Sequence, residues 1–175
     1  MEYNIWSMLT RLLILWLLSE SPLHGYRIKK ILDDETLRFW FPVEYGSIYS
    51  VLRTLERQGH VSALAVEREG ARPARTRYAI TREGREHLRD LLRTAWRQLP
   101  SPAEPFQLAL AARSELAEEE VEELLAERRT ALDARLTHLD EVARSAPAGE
   151  MAERQRALTL AELGWIEQQM RKEER

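Results

Sequence analysis

The feature that most constrains the fold is a change in hydrophobic period between residues 45 and 99. Over residues 45–58 the apolar side chains recur at the period of one helix face, about 3.6 residues. Over residues 61–69 and 75–80 they alternate with polar side chains, which is typical of two antiparallel strands. Thr81 then caps a further helix that carries an apolar stripe. The pattern predicts a helix, a β-hairpin and a second helix in direct succession.

The helix predicted over residues 45–58 has two chemically different faces. At about 100° per residue, one face is wholly apolar and the opposite face holds hydroxyl and guanidinium groups without an acidic residue. Gly59 follows as a C-terminal cap. The apolar face consists of Ile48, Val51, Leu52 and Leu55, and the outward face of Ser50, Arg53, Thr54 and Arg57.

The first helix, at about residues 5–19, is apolar around nearly its whole circumference. Its apolar run, residues 8–18, is far shorter than the roughly 20 residues that span a bilayer, and Arg11 interrupts it. The opening MEYN lacks the positive charge of a signal peptide. We therefore expect no membrane partner, and a helix whose second face packs on the C-terminal half or on another subunit. A second helix starts near Gly25.

Charge is divided unevenly along the chain. Residues 1–99 contain 16 Lys and Arg against 12 Asp and Glu, a net charge of +4, whereas residues 100–175 contain 10 against 17, a net charge of -7. The change falls at LPSPAEP, residues 99–105, where three prolines disfavour a continuous helix. We therefore expect two domains, residues 1–99 and 105–175. The first is suited to nucleic acid and the second to a protein partner.

Composition narrows the function classes. The 175 residues include no cysteine, which excludes disulfides and thiolate metal sites and fits a cytoplasmic protein. Only 7 Gly and 7 Pro disfavour a turn-rich all-β fold. The four histidines share no ligand spacing, and the Glu83–His87 pair is interpreted as a solvated helix face. With no nucleophile–base pair or phosphate loop in the sequence, we expect no enzyme, no cofactor and no metal.

Residues 105–175 predict a short helix at 106–112, an acidic helix at 118–144 and a last helix at 151–172. Arg128 interrupts the apolar stripe of the acidic helix. Two such helices have too little core to stand alone, so pairing with a second subunit and with the first helix is expected. The residues expected at this homodimer interface are Trp16, Leu125, Leu132, Leu136, Leu158, Trp165 and Ile166.

The predicted order of elements is three helices, a two-stranded hairpin and a helix, which is the order of a winged helix-turn-helix. The third helix would enter the major groove, where Arg53 reaches a guanine edge or a phosphate. Arg72 and Arg75 suit a wing that contacts the flanking backbone. The predicted fold class is mainly α, with an N-terminal winged helix-turn-helix and a C-terminal helical dimerisation domain.

Three segments resemble the PadR family of bacterial transcriptional regulators: PLHGYRI, GSIYSVLRTLERQGHV and RYAITREGREHL. They share HGY before the second helix, Tyr-x-x-Leu in the third, and Tyr-x-x-Thr-x-x-Gly after the hairpin. His60 departs from the pattern, since an apolar or aromatic residue is more usual there. The resemblance implies a repressor-type dimer on double-stranded DNA. The DNA contacts that it implies are Tyr26, Lys29, Ser47, Tyr49, Ser50, Arg53, Arg72 and Arg75.

Some readings stay open at this point. Tyr49 fits packing and phosphate contact equally well. The five tryptophans fit core or interface anchors better than a box for a small aromatic effector, although some PadR-like regulators bind planar molecules. For the whole chain, the alternatives to a DNA-binding regulator are a winged module for protein docking, which the modest charge of residues 1–99 favours, and a ligand-sensing helical domain. The expected location is the bacterial cytoplasm, at the nucleoid.

Overall fold

The chain divides into two compact units, Met1–Pro100 and Ser101–Arg175, and the division falls in the proline-rich segment. In the first unit, helices surround a small antiparallel sheet, and the second unit is helical. This is the mainly α architecture that the sequence predicts. The computed structural model describes residues 5–41, 45–67, 75–99, 104–143 and 149–173.

The first unit has the predicted helix, hairpin and helix, together with two elements that the sequence reading missed. These are a two-residue strand before the second helix and a short helix after it. The elements of this unit are α1 (Ile5–Glu20), β1 (Leu23–His24), α2 (Gly25–Leu32), α3 (Glu35–Trp40), α4 (Tyr45–Arg57), β2 (Val61–Glu67), β3 (Arg75–Ile80) and α5 (Arg82–Arg97).

The sheet has three strands in the order β1-β3-β2, and both pairings are antiparallel. Leu23 of β1 lies opposite Tyr78 of β3, and Val61 of β2 lies opposite Ile80. Beside β1, the Nε of Arg77 donates a hydrogen bond to the carbonyl oxygen of Pro22 at 3.3 Å. The wing is therefore a three-stranded sheet, and its central strand holds the turn that precedes α2.

Helix α1 packs against α4, α5 and β3, so several of its sides are buried within its own unit, and packing of a further face on the C-terminal half or on another subunit stays a prediction. Ile14 and Leu15 are 0% exposed, and even Arg11 is only 6% exposed. The guanidinium of Arg11 donates to Oε1 of Gln58, just beyond the end of α4, at 2.9 Å. The buried core of this unit consists of Leu13, Ile14, Leu15, Leu18, Ile28, Leu32, Ile48, Leu52, Leu55, Val61, Leu88 and Leu91.

Two predicted caps join α4 to the following elements. Gly59 ends α4 with a φ of 76°, a left-handed conformation that favours glycine. The Thr81 hydroxyl caps α5, since its Oγ1 accepts a hydrogen bond from the Gly84 N–H at 2.9 Å. The same hydroxyl donates to the Gly59 carbonyl oxygen at 2.7 Å. Hydrogen bonds of one hydroxyl therefore connect the end of α4 to the start of α5.

Within this chain, the apolar stripe of α5 is buried only in its first half. Leu88 and Leu91 are buried, as expected. Further along, Leu92 is 43% exposed and Trp96 is 88% exposed. The reason is that the core of the first unit reaches only as far as Leu91 along this helix.

The second unit contains α6 (Pro105–Ala111), a 3₁₀ turn (Arg113–Glu115), α7 (Glu118–Val142) and α8 (Gly149–Glu173). Helices α7 and α8 pack together along a seam of buried leucine and isoleucine side chains. Across this seam, Nε of Arg128 donates to Oε1 of Glu162 at 2.7 Å. The arginine that interrupts the apolar stripe of α7 is therefore paired with a carboxylate of α8.

Candidate nucleic-acid interface

Helix α4 has the two faces that the sequence predicts. The inward side chains Ile48, Leu52 and Leu55 are all 0% exposed. On the outward face, Ser50 and Arg53 are exposed. The helix backbone is therefore fixed by its apolar face, while a hydroxyl and a guanidinium group remain accessible to a ligand.

An acidic side chain lies beside the outward face of α4, although not on it. Glu56 is exposed on the flank of α4 that also carries Tyr49. Burial raises the pKa of Tyr78 on the neighbouring strand, the charge of Glu56 raises it further, and Arg53 lowers it. A carboxylate therefore lies at the edge of this face, where it weakens the positive potential around Arg53.

Tyr49 packs against α2 and is also exposed, so its contact with phosphate stays a prediction. A Cβ on Gly25 would lie only 3.0 Å from Cε1 of Tyr49, so the ring lies directly over the first residue of α2. Even so, 45% of Tyr49 is exposed. The ring therefore packs the two helices together while part of it faces solvent. The glycine of the HGY motif is needed for this close approach.

Helix α2 supplies a second group of exposed side chains. Tyr26 is 47% exposed, and its ring stacks on His24 with the ring centroids 5.7 Å apart. Lys29 is exposed in the last turn of the helix. Helix α2 packs on α4, and each of these two helices carries exposed candidate residues.

Three predicted DNA contacts are only partly placed. Ser47 belongs to the first turn of α4, but its side chain lies outside the described part of the chain. The backbone of Arg75 pairs with Glu67 at the start of β3, and its side chain is likewise outside. Arg72, at the predicted tip of the wing, lies outside the described residues altogether. The DNA contacts of all three stay predictions.

The predicted interface residues fall into three groups. Leu125, Leu132 and Ile166 are buried in the seam between α7 and α8 of a single chain. Trp16 and Leu158 are 44% and 49% exposed, which leaves them open to a partner. The others, Leu136 and Trp165, are half-buried beside the seam. The contact of these seven residues with a second subunit stays a prediction.

Comparison with known families identifies this arrangement. Residues 14–90, which span α2, α4 and the wing, match the transcriptional regulator PadR-like family. The first unit of the chain is therefore similar to PadR-like transcriptional regulators. Members of this family are regulators and not enzymes, as the sequence predicts. No curated protein matches the chain significantly.

Three solved structures share the fold of this chain. Bacillus subtilis PadR in complex with operator DNA is 22% identical, with a TM-score of 0.71 over 93% of this chain and 97% of that chain. Bacillus subtilis PadR in complex with p-coumaric acid is 20% identical, with a TM-score of 0.74 over 95% and 99% of the chains. The Vibrio cholerae virulence activator AphA is 21% identical, with a TM-score of 0.65 over 93% and 96%. At these identities, the similarity establishes the fold.

The second unit of this PadR-like protein contains an aromatic cavity of about 350 Å³. Phe106 and Trp165 line it, with their rings edge to face at a centroid distance of 5.9 Å. The guanidinium carbon of Arg128 lies 3.7 Å from the centroid of the Phe106 ring. The cavity therefore offers two aromatic surfaces beside an arginine that Glu162 already holds.

No helix among the described residues is long and apolar enough to span a membrane. In the same part of the chain, no three His, Asp or Glu side chains are grouped so that they could hold a metal ion.

Proposed function

We propose that this PadR-like protein is a homodimeric repressor that binds an inverted-repeat operator. Residues 1–99 would bind the DNA and residues 105–175 would dimerise. The observation that carries the proposal is the outward face of α4, where Ser50 and Arg53 are exposed on a helix whose opposite face is anchored by the fully buried side chains Ile48, Leu52 and Leu55. A helix held in this way can enter the major groove without losing its packing.

Each predicted contact then has a chemical role. Arg53 donates to the O6 and N7 acceptors of a guanine or to a phosphate, and this contact supplies sequence preference. The hydroxyls of Ser47 and Ser50, near the start of α4, donate to phosphate oxygens. Tyr26 and Lys29 on α2 contact the backbone of the same half-site. Tyr49 orients α4 on α2 through its contact with Gly25 and presents its exposed edge to the backbone.

The wing completes the proposed contact. Arg72 and Arg75 would lie along the backbone that flanks the half-site, and they would strengthen binding without selecting a sequence. Arg77 does not join them in this proposal, because its side chain is hydrogen-bonded to the carbonyl of Pro22. The wing is thereby held against the start of α2, so the groups from both elements reach the duplex in one orientation.

A two-fold dimer explains the inverted repeat. Trp16 and Leu158 are large apolar side chains that are exposed in one chain, and a second copy would cover them. Two α4 helices related by the two-fold axis would then read half-sites separated by about 34 Å, one turn of the duplex, or by a multiple of it. We place this dimer in the bacterial cytoplasm, on the nucleoid.

Two structures of one relative support the proposal. Bacillus subtilis PadR has been solved with operator DNA and with p-coumaric acid. By analogy, we propose that a small aromatic effector enters the cavity beside Phe106 and Trp165 of this chain. The Vibrio cholerae relative is a virulence activator. The position of the operator relative to the promoter distinguishes repression from activation for this chain.

An array of random duplexes tests the proposal. We expect the full-length protein to enrich an inverted repeat, and we expect its affinity to fall about a thousandfold or more between 50 and 200 mM salt, because phosphate contacts release counterions. Adding p-coumaric acid tests for release by an effector. If no motif is enriched even at low salt, DNA binding is refuted and the winged module is better explained as a protein-docking surface.

A further inference from the structure

A pair of histidines lies where the end of α4, the wing and α5 meet. The N–H of His60 donates to the Leu55 carbonyl oxygen at 2.9 Å, which closes the end of α4. The carbonyl oxygen of His60 accepts from the N–H of Thr81 at 3.1 Å, just before α5. The residue that departs from the family pattern therefore lies at the joint between the DNA-contacting helix and the rest of the unit.

The side chain of His60 stacks on a histidine of α5. The rings of His60 and His87 have centroids 4.2 Å apart and are inclined by only 18°. This corrects the sequence reading, which placed His87 on a solvated helix face. The joint has little free space, because a Cβ on Gly84 would lie 1.9 Å from the His60 carbonyl oxygen.

The surroundings of the stack disfavour positive charge. Among the described residues, Nδ1 of His60 and Nε2 of His87 are buried and have no hydrogen-bond partner. Arg11 of α1 is a further cation near the pair, and its guanidinium donates to Gln58. A proton added to either imidazole would therefore place a second charge near Arg11 in a tightly packed region.

Among the described residues, three charged side chains act on the pair, namely Arg11, Glu83 and Asp90. Burial lowers the pKa of His60, the charge of Arg11 lowers it further, and Glu83 of α5 raises it. Burial also lowers the pKa of His87, as do His60 and Arg11, whereas Asp90 raises it. Glu83 and Asp90 are both exposed, so water screens their attraction. The net effect keeps both rings neutral near neutral pH.

We propose that the His60–His87 stack is a proton-sensitive joint. In acid the joint opens, the end of α4 separates from α5, and the winged unit binds DNA more weakly. The effect on DNA rests on the proposed function, whereas the opening of the joint does not. The stack joins the residue that directly precedes β2 to a residue of α5, so opening of the joint requires no other side chain.

The direction of the pH effect follows from linkage. The unfolded chain binds protons at these two histidines more readily than the folded chain does, because the folded pKa values are lowered. The stability contributed by the neutral pair is therefore complete above the unfolded pKa of about 6.5 and is lost as the pH falls from there towards the folded values.

Hydrogen exchange of the full chain tests the joint without DNA. The variant is His60→Phe with His87→Phe, which keeps two stacked rings and removes both protonation sites. Between about pH 8 and about pH 5.5, we expect the amide protection factors of residues 59–62 and 81–85 to fall about tenfold more in the wild type than in this variant. His138→Gln is the matched control, because His138 is exposed on α7, and it should behave like the wild type.

Two further measurements keep the test decisive. If the double variant does not fold, His87→Leu alone should reduce the acid-induced loss of protection and of Tm. Where the duplex enriched on the array is available, the wild type should lose about tenfold in affinity relative to the double variant at about pH 5.5. Equal pH profiles of wild type and variant would overturn the joint. Absence of DNA binding by both proteins at every pH would instead overturn the proposed function, and hydrogen exchange would still decide the joint.

Discussion

Replacing Arg53 by alanine is expected to weaken binding to the enriched operator by about 1–3 kcal/mol and to flatten the preference at one base position of each half-site. The guanidinium is exposed on the outward face of α4, opposite side chains that are fully buried. Removing it leaves the packing of the helix intact, so the loss should appear in binding and not in folding. Fluorescence anisotropy with the enriched duplex and with single-base variants of it measures both effects.

The matched control for this prediction is Arg82→Ala, which removes the same charge from α5. Arg82 is exposed, and its ion pair within the described ranges is with Glu86 of its own helix, at 3.5 Å. Because solvent and salt screen a distant surface charge, its removal should change affinity by less than about twofold. Equal losses of affinity for Arg53→Ala and Arg82→Ala would mean that DNA binding depends on net charge alone. Helix α4 would then not be the element that recognises the sequence.

Gly84→Ala is expected to destabilise the first unit by about 3 kcal/mol or more, beyond the usual cost of overpacking. The added Cβ would lie 1.9 Å from the carbonyl oxygen of His60 and 2.9 Å from its carbonyl carbon. These are backbone atoms, and the Thr81 N–H binds the same oxygen. Relief therefore requires α5 to move away from the end of α4. Urea unfolding followed by circular dichroism measures the loss.

A second glycine supplies the control. Gly164 lies inside α8, and in the described part of the chain nothing beyond its own helical turn is within 4 Å of the position that a Cβ would occupy. Alanine has the higher helix propensity, so Gly164→Ala should stabilise the protein by up to about 1 kcal/mol. If Gly84→Ala unfolds at the same urea concentration as the wild type, the tight joint between α4 and α5 is not present in solution.

Periodicity was sufficient for the long elements of the first unit. The apolar face of α4 and the Thr81 cap of α5 both follow from residues close together in sequence, and the structure confirms them. The shift from helical to alternating pattern likewise predicts the hairpin. Strand β1 is different, because Leu23 and His24 are too few residues to display any period. It becomes a strand only through pairing with β3, a contact distant in sequence.

Long-range contacts also account for what the site reading missed. His60 and His87 are separated by the whole hairpin, so no local spacing reveals their stacking. The pairing of Arg77 with the carbonyl of Pro22 is equally invisible in the sequence. In the second unit, Arg128 is an unexplained break in the apolar stripe until Glu162 of α8 is placed opposite it. The local sequence pattern therefore predicts the helices and strands, whereas the side-chain contacts between them are seen only in the structure.

The position of α4 on DNA is the central claim, and directed cleavage measures it. The natural chain contains no cysteine, so Ser50→Cys provides a single attachment point for an iron–EDTA reagent on the outward face of α4. Glu153→Cys, on the exposed surface of α8, is the control. With the enriched duplex, we predict cleavage from position 50 centred in the major groove of each half-site, at two centres about 34 Å or a multiple apart. Cleavage from position 50 that is no stronger than from position 153 would contradict the account.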